Sequence, residues 1–256
     1  MSWFPLLWSG GEPPAADREL YPMTRSHHAV RTGRPAFFDL NLSRQSATIH
    51  ALSHSPPRDR MNFEQWRHYY RGYFFEIFKQ PAKAIEEYRI ALRHEPRFAK
   101  AAACIAVLSA SQGRFEEAER YFLEALRISP DDAEMRFNLG YVCDKQRKYE
   151  EAIAAFAEAL RLKPKIDRAW YGMGLAQAAL GRHEEAARSL EEASSLQPMN
   201  GHAWYAFGMA QHHLHNPDKV KEIVLHLHRI DPLMCRRLIQ DAERSDLIHL
   251  VKDLAI

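Results

Sequence analysis

Residues 137–164 read FNLGYVCDKQRKYEEAIAAFAEALRLKP, and residues 169–198 read AWYGMGLAQAALGRHEEAARSLEEASSLQP. Laid over one another with an offset of 34 residues, the two stretches agree wherever a small or apolar residue is needed. Gly140 matches Gly174, Ala152 matches Ala186, Phe156 matches Leu190, and Pro164 matches Pro198. The same step continues outward in both directions. Prolines stand at Pro96, Pro130, Pro164, Pro198 and Pro232. Eight residues before each stands a large apolar residue: Tyr88, Phe122, Phe156, Leu190 and Val224. Twenty-four before each stands a small one: Gly72, Ala106, Gly140, Gly174 and Gly208. A period of this length marks one supersecondary unit stacked in series.

Each period reads as two helices. In the third, the first runs from Ala133 to Lys145 and the second from Glu150 to Leu162, with Arg147 and Lys148 in the turn. Gly113 and Gly181 stand at the equivalent turns of the second and fourth periods, where left-handed backbone is often required. The grid proline has no amide donor and disfavours helix at the residue before it, so it ends one unit cleanly. Asp131 or Asp132 is the expected cap of the helix that follows Pro130. Small residues at fixed offsets let two helices approach closely, and the large apolar residue fills the gap.

This pattern resembles the tetratricopeptide repeat. Trp170, Gly174, Gly181, Ala186, Ala193 and Pro198 lie on the family's motif, as do Leu139, Gly140, Tyr149, Ala152, Phe156, Ala159 and Pro164. The resemblance implies an all-α, right-handed superhelical solenoid of five hairpins within residues 61–234. The units are 65–98, 99–132, 133–166, 167–200 and 201–234. After Pro232, Leu238, Ile239, Leu247, Leu250 and Val251 suggest amphipathic capping helices over 235–256, with a C-terminal docking helix as the alternative, and residues 1–60 read as an irregular N-terminal arm. The outer units depart from the motif: the first has His68 and Arg71 at usually apolar places, and the fifth has Val220 and Leu227 where small residues are usual. Terminal repeats are commonly atypical.

The family lines its concave face with the first helix of each unit. That implies a partner-binding groove formed by Tyr69, Tyr73, Phe137, Asn138, Tyr141, Asp144, Arg168, Tyr171, Tyr205 and Met209. Tyrosine offers contact area at low entropy cost and a hydroxyl for a peptide carbonyl. The expected guest is therefore a protein or peptide segment. Relatives that grip a C-terminal carboxylate use Lys and Asn at set places. Asn138 sits at one such place, but Tyr69 and Tyr73 occupy those of the first unit, which argues against that ligand.

Residues 1–60 differ in kind. They hold seven of the fourteen prolines and show no helical period, as in a segment too poor in apolar surface to fold alone. Yet Trp3, Phe4, Leu6, Leu7, Trp8, Phe37 and Phe38 are large and apolar, and one such cluster is expected to dock on the repeats or on a partner. After the arm, Phe63, Trp66, Tyr69, Tyr70, Tyr73, Phe74, Phe75 and Phe78 surround most of one helix. A helix apolar all round is usually buried. Cover by the arm is expected here, with an exposed partner surface as the alternative.

The remaining features exclude more than they assign. Lys and Arg number 35 against 33 Asp and Glu, so no strong basic field invites nucleic acid. Three widely spaced cysteines form neither a disulfide framework nor a metal pair. His212 and His215 would share a helical face if the helix reached that far, but no nearby Cys, Asp or Glu completes a tetrahedral set. No phosphate loop, nucleophile elbow or zinc-protease motif is present. No run of 18 apolar residues suggests a membrane span, and the N-terminus lacks the basic start of a secretory leader. The expectation is a cytoplasmic, non-enzymatic scaffold or adaptor without metal or cofactor. The alternative is a regulatory or targeting subunit of an enzyme complex.

Overall fold

A computed structural model of the chain describes residues 63–251. The N-terminal arm and its expected docking lie outside the described residues. Within them the structure is all helical. The elements are α1 (Phe63–Ile77), α2 (Pro81–His94), α3 (Ala99–Ser111), α4 (Phe115–Ile128), α5 (Ala133–Lys145), α6 (Tyr149–Leu162), α7 (Asp167–Ala179), α8 (His183–Leu196), α9 (Gly201–His213), α10 (Pro217–Ile230) and α11 (Pro232–Asp241). A short 3-10 helix, Ser245–Val251, follows. Odd-numbered α1–α9 are the first helices of the five units, and α2–α10 the second.

The 34-residue step is written into the backbone. Lys79, Gly113, Arg147, Gly181 and His215 all adopt positive φ, between 54° and 76°, at the turn inside each hairpin. Two are glycine; the other three hold a left-handed conformation that costs an ordinary residue about 1–2 kcal/mol. Side-chain caps open some of the first helices and α11, while Phe98 and Ile166 start α3 and α7 without one. Asp132 accepts from the Met135 amide, Asn200 from those of His202 and Ala203, and Asp231 from that of Met234 at the mouth of α11. The second helices lack such side-chain caps at Arg114, Lys148 and Arg182. Paired glutamates in their first turns face the positive helix end instead.

The grid prolines gain a physical role as well. Six residues after each of three of them, a side chain donates to the proline carbonyl: Trp170 to Pro164 and Trp204 to Pro198, both at 2.9 Å, and Arg136 to Pro130 at 3.4 Å. Each inter-unit corner is thereby pinned to the next first helix.

Packing explains the small and large positions. Tyr88, Phe122, Phe156, Leu190 and Val224 are all buried in the core. Phe156 sits between two backbones. A Cβ at Gly140 or at Gly172 would come within 2.7 Å of its ring. One side chain therefore joins the first helix of its own unit to that of the next. Ion pairs link the second helices on the outside: Arg89 with Glu117 at 2.8 Å, Lys148 with Glu119 at 2.6 Å, and Arg182 with Glu150 at 2.5 Å. These pairs are solvent-exposed on the cation side and screened by water, so they add little to the stability of the stack.

Successive first helices touch (α3 with α5, α5 with α7, α7 with α9), whereas no two successive second helices among the described residues pack to that extent. The stack therefore curves with the first helices inside. At the C-terminal end α11 packs on α9 and α10, and Leu238, Ile239, Leu247 and Val251 are buried there.

Candidate functional site

The inner face carries a run of aromatic rings, four of which are met by a cation. The Lys100 ammonium lies 5.6 Å from the Trp66 ring, the Arg168 guanidinium 5.1 Å from Phe137, Lys145 5.7 Å from Tyr141, and Arg237 5.1 Å from Tyr205. Three of these four contacts join one helical layer to the next. Arg168, at the second position of its unit, overhangs the fifth-position Phe137 of the unit before; Lys100 overhangs Trp66 from the equivalent place, Arg237 overhangs Tyr205 from one position further on, and Lys145 stands one helical turn from Tyr141. A cation near an aromatic face contributes about 0.5–1 kcal/mol at exposed sites.

The expected groove residues divide into three groups. Tyr69 is engaged within the first unit, its ring 5.2 Å from Phe98 and 5.5 Å from Tyr88. Burial raises its hydroxyl pKa, and the Cys104 thiol beside it adds to the effect. Tyr73 is half-buried one turn further on. In the middle, Phe137 and Asn138 are nearly buried, so they shape the floor more than they offer contacts. Arg168 is exposed above Phe137; Tyr141, Asp144 and Tyr171 are half-buried. Burial pushes the Tyr171 hydroxyl up to about 12, so it remains a neutral hydrogen-bonding group at physiological pH.

The third group meets the cap. Tyr205 donates to the Asp241 carboxylate at 2.6 Å, and Arg237 both overlies its ring and pairs with Asp241 at 3.4 Å. Burial, reinforced by Asp241, pushes the Tyr205 hydroxyl up to about 12. Met209 packs in the C-terminal core cluster. Arg237 and Asp241 were absent from the sequence reading of the site, and so was Lys145. The missed signal is the continued 34-residue step, which carries the third position of the fifth unit, Ala203, onto Arg237.

Titratable groups gather in one further place. Glu64, His68 and His94 bring three potential ligand atoms within 4.8 Å of one another. Arg67 already lies there, 2.6 Å from Glu64 and 3.5 Å from the His68 Nε2. His68 Nδ1 lies 2.6 Å from Glu87 Oε2, and Arg71 reaches the same carboxylate at 3.0 Å. A proton on His68 Nδ1 is placed to donate to Glu87, and Nε2 faces the Arg67 guanidinium. A metal would have to displace Arg67, and the cluster is a polar clasp between α1 and α2. The other histidine arrangement does not form, because α9 ends at His213 and His215 sits in the left-handed turn. The three cysteines are free and buried. Among the described residues, no helix is long and apolar enough to cross a membrane.

A family model described as "Tetratricopeptide repeat" matches residues 78–133, 110–166, 137–195 and 171–219, together more than half of the chain. Comparison with curated proteins finds no match. Among solved structures the chain is similar to a MamA protein, with a TM-score of 0.63 and 17% identity, over 77% of this chain and 99% of that one. It is also similar to YrrB, described as a TPR protein with an unusual peptide-binding site (TM-score 0.63, 20% identity, 69% of this chain and 90% of that one). A third similar structure is PilF of Pseudomonas aeruginosa (TM-score 0.58, 19% identity, 72% and 87%). At these identities the likeness shows the fold alone.

Proposed function

Since this chain belongs to the tetratricopeptide repeat family, we propose that its inner face holds a segment of another polypeptide and that the protein acts as a non-catalytic scaffold. The observation that carries this reading is the alternation of rings and cations along the first helices. Rings take apolar side chains, and the neighbouring cations favour acidic ones. The half-buried tyrosines add hydroxyls for a peptide backbone. The similar fold of YrrB, a protein described by its peptide-binding site, supports the same class of guest. The middle of the face, units three and four, is the proposed seat. The fifth unit's Tyr205 is already engaged by α11.

Photocrosslinking of the full chain tests this. A benzophenone residue replaces Ala178 on the inner side or the exposed Ala157 on the outer side. The expected result is one guest captured from the Ala178 position, and lost in Tyr141→Ala and in Arg168→Glu with helicity unchanged. Equal capture from both positions, or capture indifferent to both variants, would refute the groove as the seat.

A further inference from the structure

The first helix breaks the rule by which a solenoid ends. A terminal unit needs a polar outer face, because no neighbour covers it. At the C-terminal end α11 and the 3-10 helix supply that cover. At the other end α1 turns Phe63, Tyr70, Phe74, Ile77 and Phe78 to solvent, at 55–74% exposure. The first four fall on one stripe of the helix, seven, four and three residues apart. Phe78 extends it, its ring 4.5 Å from that of Phe74. By helical phase the stripe faces away from Gly72 and His68, which are buried against α2, and lies about a quarter turn from Trp66, Tyr69 and Tyr73. Tyr70 meets the Trp66 ring at 5.9 Å and that of Tyr69 at 5.6 Å, so the stripe adjoins the inner face at the first unit, while the proposed peptide seat lies in units three and four. A contiguous apolar patch of this kind marks a contact surface.

We infer that this stripe is the dock for the chain's own segment Trp3–Trp8, WFPLLW. The chain outside the described residues leads directly into α1 at Phe63, and Trp3–Trp8 is its most densely apolar stretch. Five of its six residues are large and apolar, and none is charged. Residues 9–62 form the tether. Even a random chain of that length has a root-mean-square reach of roughly 40 Å, against about 22 Å for the length of α1. Such a tether holds its end near the helix at an effective concentration on the order of millimolar. A second copy of the chain at micromolar concentration competes poorly with that. Pro5 restricts the backbone of the segment in advance, which lowers the entropy lost on docking. The segment thus serves as the N-terminal cap that the repeat itself lacks.

The test uses the full chain with paired substitutions under mild oxidation. Trp8→Cys is combined with Phe74→Cys at the stripe, or with Leu225→Cys, an exposed position on α10. Cys104, Cys143 and Cys235 are buried and stay out of the reaction. The expected result is an intrachain disulfide to position 74 in the monomer fraction, formed on the order of tenfold faster than to position 225. In a second measurement, Trp3→Ser with Trp8→Ser leaves the repeats folded and speeds hydrogen exchange of α1 on the order of tenfold. Equal disulfide rates at positions 74 and 225 would overturn the inference. So would interchain disulfides that rise with concentration, which assign the stripe to a second copy, or α1 exchange that ignores the double substitution.

Discussion

Phe156→Ala should be the most damaging single truncation in the middle of the array. The ring is 2% exposed and lies against the backbones of Gly140 and Gly172. Truncation of a buried Phe to Ala costs about 3–5 kcal/mol, and the value rises with the cavity left behind. Here neither glycine has a side chain that could slump inward, so the loss should approach about 5 kcal/mol. The equivalent Phe122 has Ala106 and Asn138 in the same register, and Phe122→Ala should fall nearer 3 kcal/mol. For a domain of this size 1 kcal/mol moves the midpoint by about 2–4 °C, so melting should drop by about 10 °C or more. Urea denaturation followed at 222 nm gives the free energy directly. A second-site test isolates the cause. In the parent chain Gly140→Ala should destabilise, because the new methyl meets ring carbons at 2.7 Å and overpacking costs about 1–3 kcal/mol. In the Phe156→Ala background the same change should stabilise, because the clash is gone and helix propensity gives about 1 kcal/mol. If Gly140→Ala has the same sign in both backgrounds, the ring is not the wedge between units three and four. The spacing of Tyr141 and Tyr171 on the inner face would then have another cause.

Three further outcomes are expected. Arg147→Gly should raise stability by about 1 kcal/mol, since Arg147 holds φ at 59° where glycine does so freely; Gly113→Ala should lose a similar amount, both read from urea midpoints. Burial pushes the Cys104 thiol up to about 12, and those of Cys143 and Cys235 up to about 11; Ellman's reagent at pH 8 should therefore detect these thiols only after denaturant is added. Acid should weaken the fold before the carboxylates titrate. Burial holds His202 below its ordinary 6.5, and burial with repulsion from His183, His212 and His215 does the same for His213. The unfolded chain then binds more protons than the folded one, so stability present above pH 6.5 is lost as pH falls through the folded-state values. The melting temperature should decline between pH 7 and 5.5, and His202→Gln should flatten that decline.

The repeat was legible because its causes are local and recur. A small residue faces a large one, a turn needs left-handed backbone, and a proline stops a helix; each leaves a mark at a fixed offset, as at Gly140, Phe156 and Pro164. The bounds of α5 follow directly, and Asp132 rather than Asp131 proves to be the cap. The second helix of that unit starts one residue early, at Tyr149, since Lys148 completes the turn without capping through its side chain. Lys79, Arg147 and His215 show where such reading thins out: they hold a glycine-like conformation without being glycine.

Sequence alone determined the hairpin, its period and the aromatic content of the inner face, because each depends on residues within one turn or one unit of each other. Tertiary structure decided which of those aromatics meet a cation, that Tyr205 is held by Asp241, and that Glu64 and His68 close on the Arg67 guanidinium. It also left the outer stripe of α1 bare. These outcomes depend on how one helix overhangs the next and on what stands at the ends of the stack, and a periodic pattern is the same in the middle as at the edge.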